Sequence, residues 1–184
     1  MSMPGIRGME HIGMTVPNID EACDFFEKIL GARTLYVAAT DFRHDDDDWM
    51  WDHLRVNPRS IIKEFRMVRL GNGTNLEVFE YHVPDQVQVP LKNSDVGGHH
   101  LAFYVDDMDA AIQFLKDNNV EILGEPTSYT EGPNLGLTWC YFLAPWGLQL
   151  EIVSAPHGTA FDNEAVKNGT DRLFHPGLVA ETQD

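Results

Sequence analysis

A block of sequence that occurs twice limits the fold of this chain more than any other feature. His11-Ile-Gly-Met-Thr-Val aligns with His100-Leu-Ala-Phe-Tyr-Val, and Asn75-Leu-Glu-Val-Phe aligns with Gln149-Leu-Glu-Ile-Val. In the first copy, His11, Gly13 and Thr15 alternate with Ile12, Met14 and Val16, which is a strand period. Pro17 ends that strand. Asp20 is expected to cap a helix whose apolar face is Phe25, Phe26, Ile29 and Leu30, and Gly31 should stop it. Strands are expected at about 33–40, 61–70 and 74–81, the last two joined at Gly71-Asn72-Gly73, a strong hairpin signal. The second copy repeats the order. A strand opens at His100, Asp106 and Asp107 cap a helix carrying Met108, Ala111, Ile112 and Leu115, with Val120 as an extension. Strands follow at about 121–129, 137–144 and 147–154, with a turn at Ala144-Pro145-Trp146-Gly147.

The expected architecture is therefore α+β: two βαβββ modules related by a pseudo-twofold. A repeat of this length is a pair of modules and not a solenoid, whose units are shorter. Module 1 should run over about 7–82 and module 2 over about 97–155, together one domain of residues 7–155. Two pieces lie outside the repeat. Residues 41–60 combine the aspartate run Asp45 to Asp48 with Trp49, Met50 and Trp51, too polar for a strand and rich in aromatics for a solvated loop. The tail, 156–184, carries Pro156, Gly158, Gly169, Pro176 and Gly177, with one short helix expected near 162–168.

Composition excludes several classes of function. Hydrophobic residues make up 43% of the 184 positions, as in a folded globular chain. No apolar run approaches the ~18–20 residues that span a bilayer, and the N-terminus lacks the apolar core of a signal peptide. A net charge of −16 opposes binding to nucleic acid or to anionic lipid. Cys23 and Cys140 form no CxxC pair and are expected to be buried free thiols. A soluble, cytoplasmic protein is the reading.

The repeat also duplicates a chemical pattern. His11 and His100 lie on the strand face opposite the apolar residues. Glu77 and Glu151 sit in mid-strand, flanked by Leu76 and Val78 and by Leu150 and Ile152. A carboxylate in such surroundings is costly unless it is paired or coordinated. Two His and two Glu from matched positions supply four N/O donors to one divalent ion; Ni, Zn, Fe, Co and Mn all suit them, and the lack of thiolates speaks against a structural zinc. Strand parity and alignment favour His100 over His99. Glu80 has the opposite parity to Glu77 and competes with it weakly.

On four stretches, GMEHIGMTVPNIDEACDFFEKILGA, NLEVFEY, GGHHLAFYVDDMDAAIQFLKDNNV and APWGLQLEIV, the sequence resembles the vicinal oxygen chelate superfamily over residues 7–155. That group includes glyoxalase I, methylmalonyl-CoA epimerase, extradiol dioxygenases and the fosfomycin and bleomycin resistance proteins. The resemblance implies a half-open barrel made by the two modules. It also implies metal ligands at His11, Glu77, His100 and Glu151, the positions already reached from the repeat. The His/Glu/His/Glu set is similar to that of bacterial glyoxalase I. The epimerases usually have Gln at the second place, and the extradiol dioxygenases normally leave it empty. The arginine that holds glutathione in glyoxalase I has no counterpart between His11 and Val16; Arg7 is the nearest basic residue.

The resemblance implies the chemistry of a lyase or isomerase of glyoxalase I type acting on a small oxygenated organic substrate, a small-molecule partner, and it also leads us to expect a homodimer. The metal would chelate two neighbouring substrate oxygens, and Glu151 or Glu77, with a lean to Glu151, would move a proton through an enediolate-like state. An Fe(II) ring-cleaving dioxygenase and a non-catalytic resistance-type binder are the alternatives. Residues 41–60 are read either as a lid, with Trp49 and Trp51 against substrate, or as a loop whose tryptophans pack locally. Tyr104 shares the face of His100 and could line the pocket.

Overall fold

The computed structural model describes residues 4–173 except positions 7, 46, 72 and 172. Arg7, the centre of the Gly71–Gly73 turn and the tail from residue 174, with its Pro176 and Gly177, lie outside the described residues. The chain divides into two compact units, Met1–Gln88 and Val89–Asp184.

The first unit contains β1 (His11–Thr15), α1 (Ile19–Leu30), β2 (Arg33–Phe42), α2 (Asp47–Leu54), β3 (Ile61–Arg69) and β4 (Asn75–His82). Its sheet has the order β1-β4-β3-β2, with β1 parallel to β4 and the other pairs antiparallel. One face is apolar: Val68, Leu76 and Val78 are fully or nearly fully buried, as are Ile19, Ala22, Cys23, Phe25 and Phe26 of α1. Burying each large side chain of this kind contributes about 1.5–3 kcal/mol. Arg66 ties α1 to the sheet through 2.5 Å contacts with Asp20 and Glu64.

The start of α1 differs from expectation. Asn18 is the cap: its backbone is extended, and its side chain accepts the Glu21 N–H at 3.0 Å. Asp20 lies within the first turn, where its carboxylate meets Arg66 and still complements the helix dipole. At the other end Gly31 takes φ 66°, a left-handed conformation open to glycine at little cost, as expected. Residues 41–60 also differ from a plain loop. β2 continues through Phe42, because Phe42 still pairs with Ile62, and an eight-residue helix, α2, follows.

The second unit repeats the plan with β5 (Leu101–Tyr104), α3 (Met108–Asp117), β6 (Ile122–Ser128), β7 (Thr138–Leu143) and β8 (Gln149–Ser154), followed by α4 (Ala160–Asn168). Its sheet order is β5-β8-β7-β6, again with a parallel first pair. Asp107 caps α3 through the Ala110 N–H at 3.0 Å. The helix ends before Val120, because Asn119 adopts φ 57°, and the Val120 N–H closes on the Leu115 carbonyl. Leu150, Ile152, Cys140 and Phe142 are buried with Ile112 and Leu115. Cys23 and Cys140 are free and buried. α4 starts two residues earlier than expected, capped by Thr159. No helix among the described residues is long and apolar enough to cross a membrane.

Candidate metal centre

Strand register decides which side chains meet. In the first unit Gly13 pairs with Glu77 and His11 with Asn75. His11, Gly13 and Glu77 therefore share one face, opposite Leu76 and Val78. In the second unit Ala102 pairs with Glu151, so His100, two residues before Ala102, takes the place that His11 has relative to Gly13.

The side chains follow the backbone. His11 Nε2 lies 3.2 Å from Glu77 Oε2, and His100 Nε2 lies 3.0 Å from Glu151 Oε2. Adjacent ligands with bonds of about 2.0–2.2 Å that meet at about 90–100° are separated by such distances. The donors also suit a borderline divalent ion: an imidazole nitrogen and a carboxylate oxygen in each pair. Glu77 and Glu151 are only 22% and 12% exposed, so each carboxylate is largely out of water and needs a cationic partner. Each unit brings together two such donors; among the described residues no group of three or more His, Cys, Asp and Glu gathers.

His99 turns away, its Nδ1 3.2 Å from the Gly97 carbonyl. Glu80 is also taken up elsewhere. It is buried on the helix side of the sheet, accepts the Ile19 N–H at 2.9 Å and pairs with Lys63 at 2.6 Å. Burial pushes its carboxyl up, but the hydrogen bonds from Lys63 and Ile19 outweigh that and hold it below the usual carboxylate range.

Aromatic rings flank both pairs, and several escaped the sequence reading. Tyr141 pairs with Glu151 in the β7–β8 ladder and sets its ring edge-on to His100, 5.2 Å between centroids. Trp139 lies beside Tyr141 at 5.1 Å. In the first unit Phe79 bridges Phe65 and Tyr81 at 5.2 and 5.5 Å. Burial, and then the charge of Glu77, pushes the Tyr81 hydroxyl up; burial and then Glu151 do the same to Tyr141. Strand parity could have placed these rings on the ligand face. Their pairing across strands needed the register. No sequence pattern singles out Glu10, because the residue at the matching place before His100 is His99. Its carboxylate contacts His11 Nδ1. That hydrogen bond, and then Glu77, raises the His11 imidazole above its ordinary value against the opposing effect of burial.

Of the three proposed pocket residues, Tyr104 pairs with Val153, on the face that carries Glu151. Trp49 is stacked between His44 and His53, 4.6 Å from each ring. Trp51 is 49% exposed, with the Arg55 guanidinium 5.3 Å over its ring.

A family model described as the glyoxalase/bleomycin resistance protein/dioxygenase superfamily matches residues 10–141, and the chain belongs to that superfamily. It is also 42% identical over 175 residues, 95% of this chain and 91% of the relative, to a 2-epi-5-epi-valiolone epimerase from Actinomyces sp. That likeness, over nearly the whole length, makes this chain an enzyme of the superfamily. It is 27% identical to the uncharacterized protein YaeR of Escherichia coli K12, over 82% of this chain and 98% of that one. Among solved structures, a glyoxalase family protein from Bacillus cereus superposes with a TM-score of 0.64 at 19% identity, covering 83% of this chain and 98% of that one. A mutant of the fosfomycin resistance protein FosX from Listeria monocytogenes, solved with Mn(II) and 1S,2S-dihydroxypropylphosphonic acid, superposes at 0.51 and 16% identity over 82% and 93%. At these identities the two structures speak for the fold, two βαβββ modules of the glyoxalase kind.

Proposed function

We propose that this chain is a metal-dependent epimerase of a polyhydroxylated cyclic ketone, a substrate such as 2-epi-5-epi-valiolone. One observation carries the reading: each repeated unit independently sets an imidazole Nε2 against a carboxylate oxygen, at 3.2 and 3.0 Å. The 42% identical epimerase supports the isomerase reading over a lyase or dioxygenase. His11, Glu77, His100 and Glu151 are assigned as ligands of one divalent ion, Ni, Zn, Fe, Co or Mn.

A bound divalent ion would act as a Lewis acid for two neighbouring oxygens of an α-hydroxyketone. The protein's own part is proton movement. A carboxylate removes the proton from the carbon beside the carbonyl, and the C–H electron pair moves into an enediolate. A proton returned to the opposite face of that carbon inverts it, with no net gain or loss of atoms. Glu151 is the preferred base, because it is the less exposed of the two and has Tyr141 beside it. Glu77 stands ready on the other half of the set. Glyoxalase I chemistry shares the same proton shift and remains the second reading, favoured by Glu77 at the place where epimerases usually carry Gln. Residues 41–60 are assigned as substrate cover. Trp51, with half its surface open and Arg55 over its ring, is the one assigned to meet substrate, while Trp49 is engaged by its two histidine neighbours.

The test is metal analysis together with proton exchange. Purified protein should hold one divalent ion per chain, and His11→Ala and Glu151→Ala should each lose it. In D2O, 2-epi-5-epi-valiolone should gain one deuterium at the inverted carbon. Full metal retention in both variants, or oxygen uptake with a catechol and no exchange, would overturn the proposal.

A further inference from the structure

The two imidazoles are held by different means. The ring of Tyr141 stands against His100, whereas a carboxylate contacts His11 at the nitrogen that faces away from Glu77. Glu10 Oε2 meets His11 Nδ1, and Nε2 is thereby left to point at Glu77. Glu10 is itself tethered. The Asn75 side-chain N–H reaches Glu10 Oε1 at 3.4 Å, and the Asn75 backbone N–H donates to the Glu10 carbonyl at 3.2 Å. Asn75 is buried at 8% exposure and accepts a 2.5 Å hydrogen bond from Arg69 Nε. The strand register that sets His11 opposite Asn75 builds this chain of contacts from Arg69 through Asn75 and Glu10 to His11.

We propose that Glu10, anchored by Asn75 and Arg69, is the positioning residue that makes His11 a metal ligand through Nε2. An imidazole can bind a metal through Nε2 only when that nitrogen presents its lone pair, which puts the ring hydrogen on Nδ1. A carboxylate at Nδ1 selects that tautomer, fixes the ring plane and increases the donor strength of Nε2. Removing such an outer partner typically weakens metal binding about 10- to 100-fold. The proposal rests on the assignment of His11 as a ligand.

The experiment measures Mn(II) and Zn(II) affinity by competition dialysis of the full-length protein, and the nitrogen of His11 that keeps its hydrogen by 15N NMR of the Zn(II)-loaded form. Glu10→Ala should lower affinity by about 10- to 100-fold and release the ring from the Nδ1–H form. Glu10→Gln, which keeps an acceptor oxygen, should hold the tautomer and recover part of the affinity. Asn75→Ala should fall between them. Glu131→Ala, an exposed carboxylate outside the site, controls for loss of one negative charge and should leave affinity unchanged. If His11→Ala loses the metal but Glu10→Ala binds as tightly as wild type, the positioning role is refuted and the ligand assignment stands. If His11→Ala itself keeps full affinity, the ligand assignment fails first.

Discussion

Glu80 offers a quantitative test, because it stands three residues from Glu77 on the same strand and does the opposite job. Its carboxylate is buried at 6% exposure, and its Oε2 accepts the N–H of Ile19, the first residue of α1, at 2.9 Å. A hydrogen bond to a charged acceptor contributes about 1.5–3 kcal/mol, and a stranded buried N–H costs about 1–3 kcal/mol. The partner Lys63 is 42% exposed at its side chain, so that pair is well screened and is left out of the sum. Glu80→Ala should therefore destabilise the protein by about 2 kcal/mol at pH 7, a fall in Tm of about 4–8 °C for a chain of this size. Glu80→Gln retains an acceptor for Ile19 and loses only the charge at the helix start, about 0.3–1 kcal/mol. The pH dependence has a definite sign. The folded carboxyl lies below its ordinary value, so its contribution is complete above the unfolded value and disappears as pH falls through the folded one. The gap between wild type and Glu80→Gln, measured by urea denaturation at several pH values, should thus be largest near neutrality and close in acid. A gap that does not change with pH, or that widens in acid, refutes the argument. So does an Ala variant as stable as wild type.

Gly98→Ala should be among the most damaging single-methyl changes, since its Cβ would fall 1.9 Å from the Lys92 carbonyl oxygen and 2.9 Å from that of Asp95. Thermal denaturation should show a loss of about 1–3 kcal/mol, and His100, two residues on, should bind metal more weakly. Glu151→Gln and Glu77→Gln separate the roles of the two carboxylates: deuterium exchange in the substrate should fall further in Glu151→Gln, by about 100-fold or more, and equal losses would remove the preference for Glu151. Trp51→Ala should raise KM with little change in kcat and leave Tm nearly untouched, whereas Trp49→Ala, which empties the space between two stacked histidines, should lower Tm.

By itself the sequence determined what is carried by periodicity and repetition. Strand parity placed His11 and Glu77 on one face and Leu76, Val78 and Glu80 on the other, because successive side chains of a strand alternate whatever they pack against. Repetition showed that one plan is used twice, and the aligned registers, Gly13 with Glu77 and Ala102 with Glu151, agree with it. Only the tertiary structure decided which polar group each side chain meets. The choice of Asn18 over Asp20 as helix cap depended on the backbone turn after Pro17 and on Arg66, far along the chain, taking the aspartate. The pairing of Tyr141 with Glu151 depended on the register of two strands, which alternation within either strand does not reveal. The capture of Trp49 by His44 and His53 required α2, a helix whose sequence shows little amphipathic pattern. So it was with the first histidine of the set. Its face was legible from the alternating strand, while the carboxylate behind its ring and the 3.2 Å approach of Nε2 to Glu77 came from polar contacts that the strand register brings together.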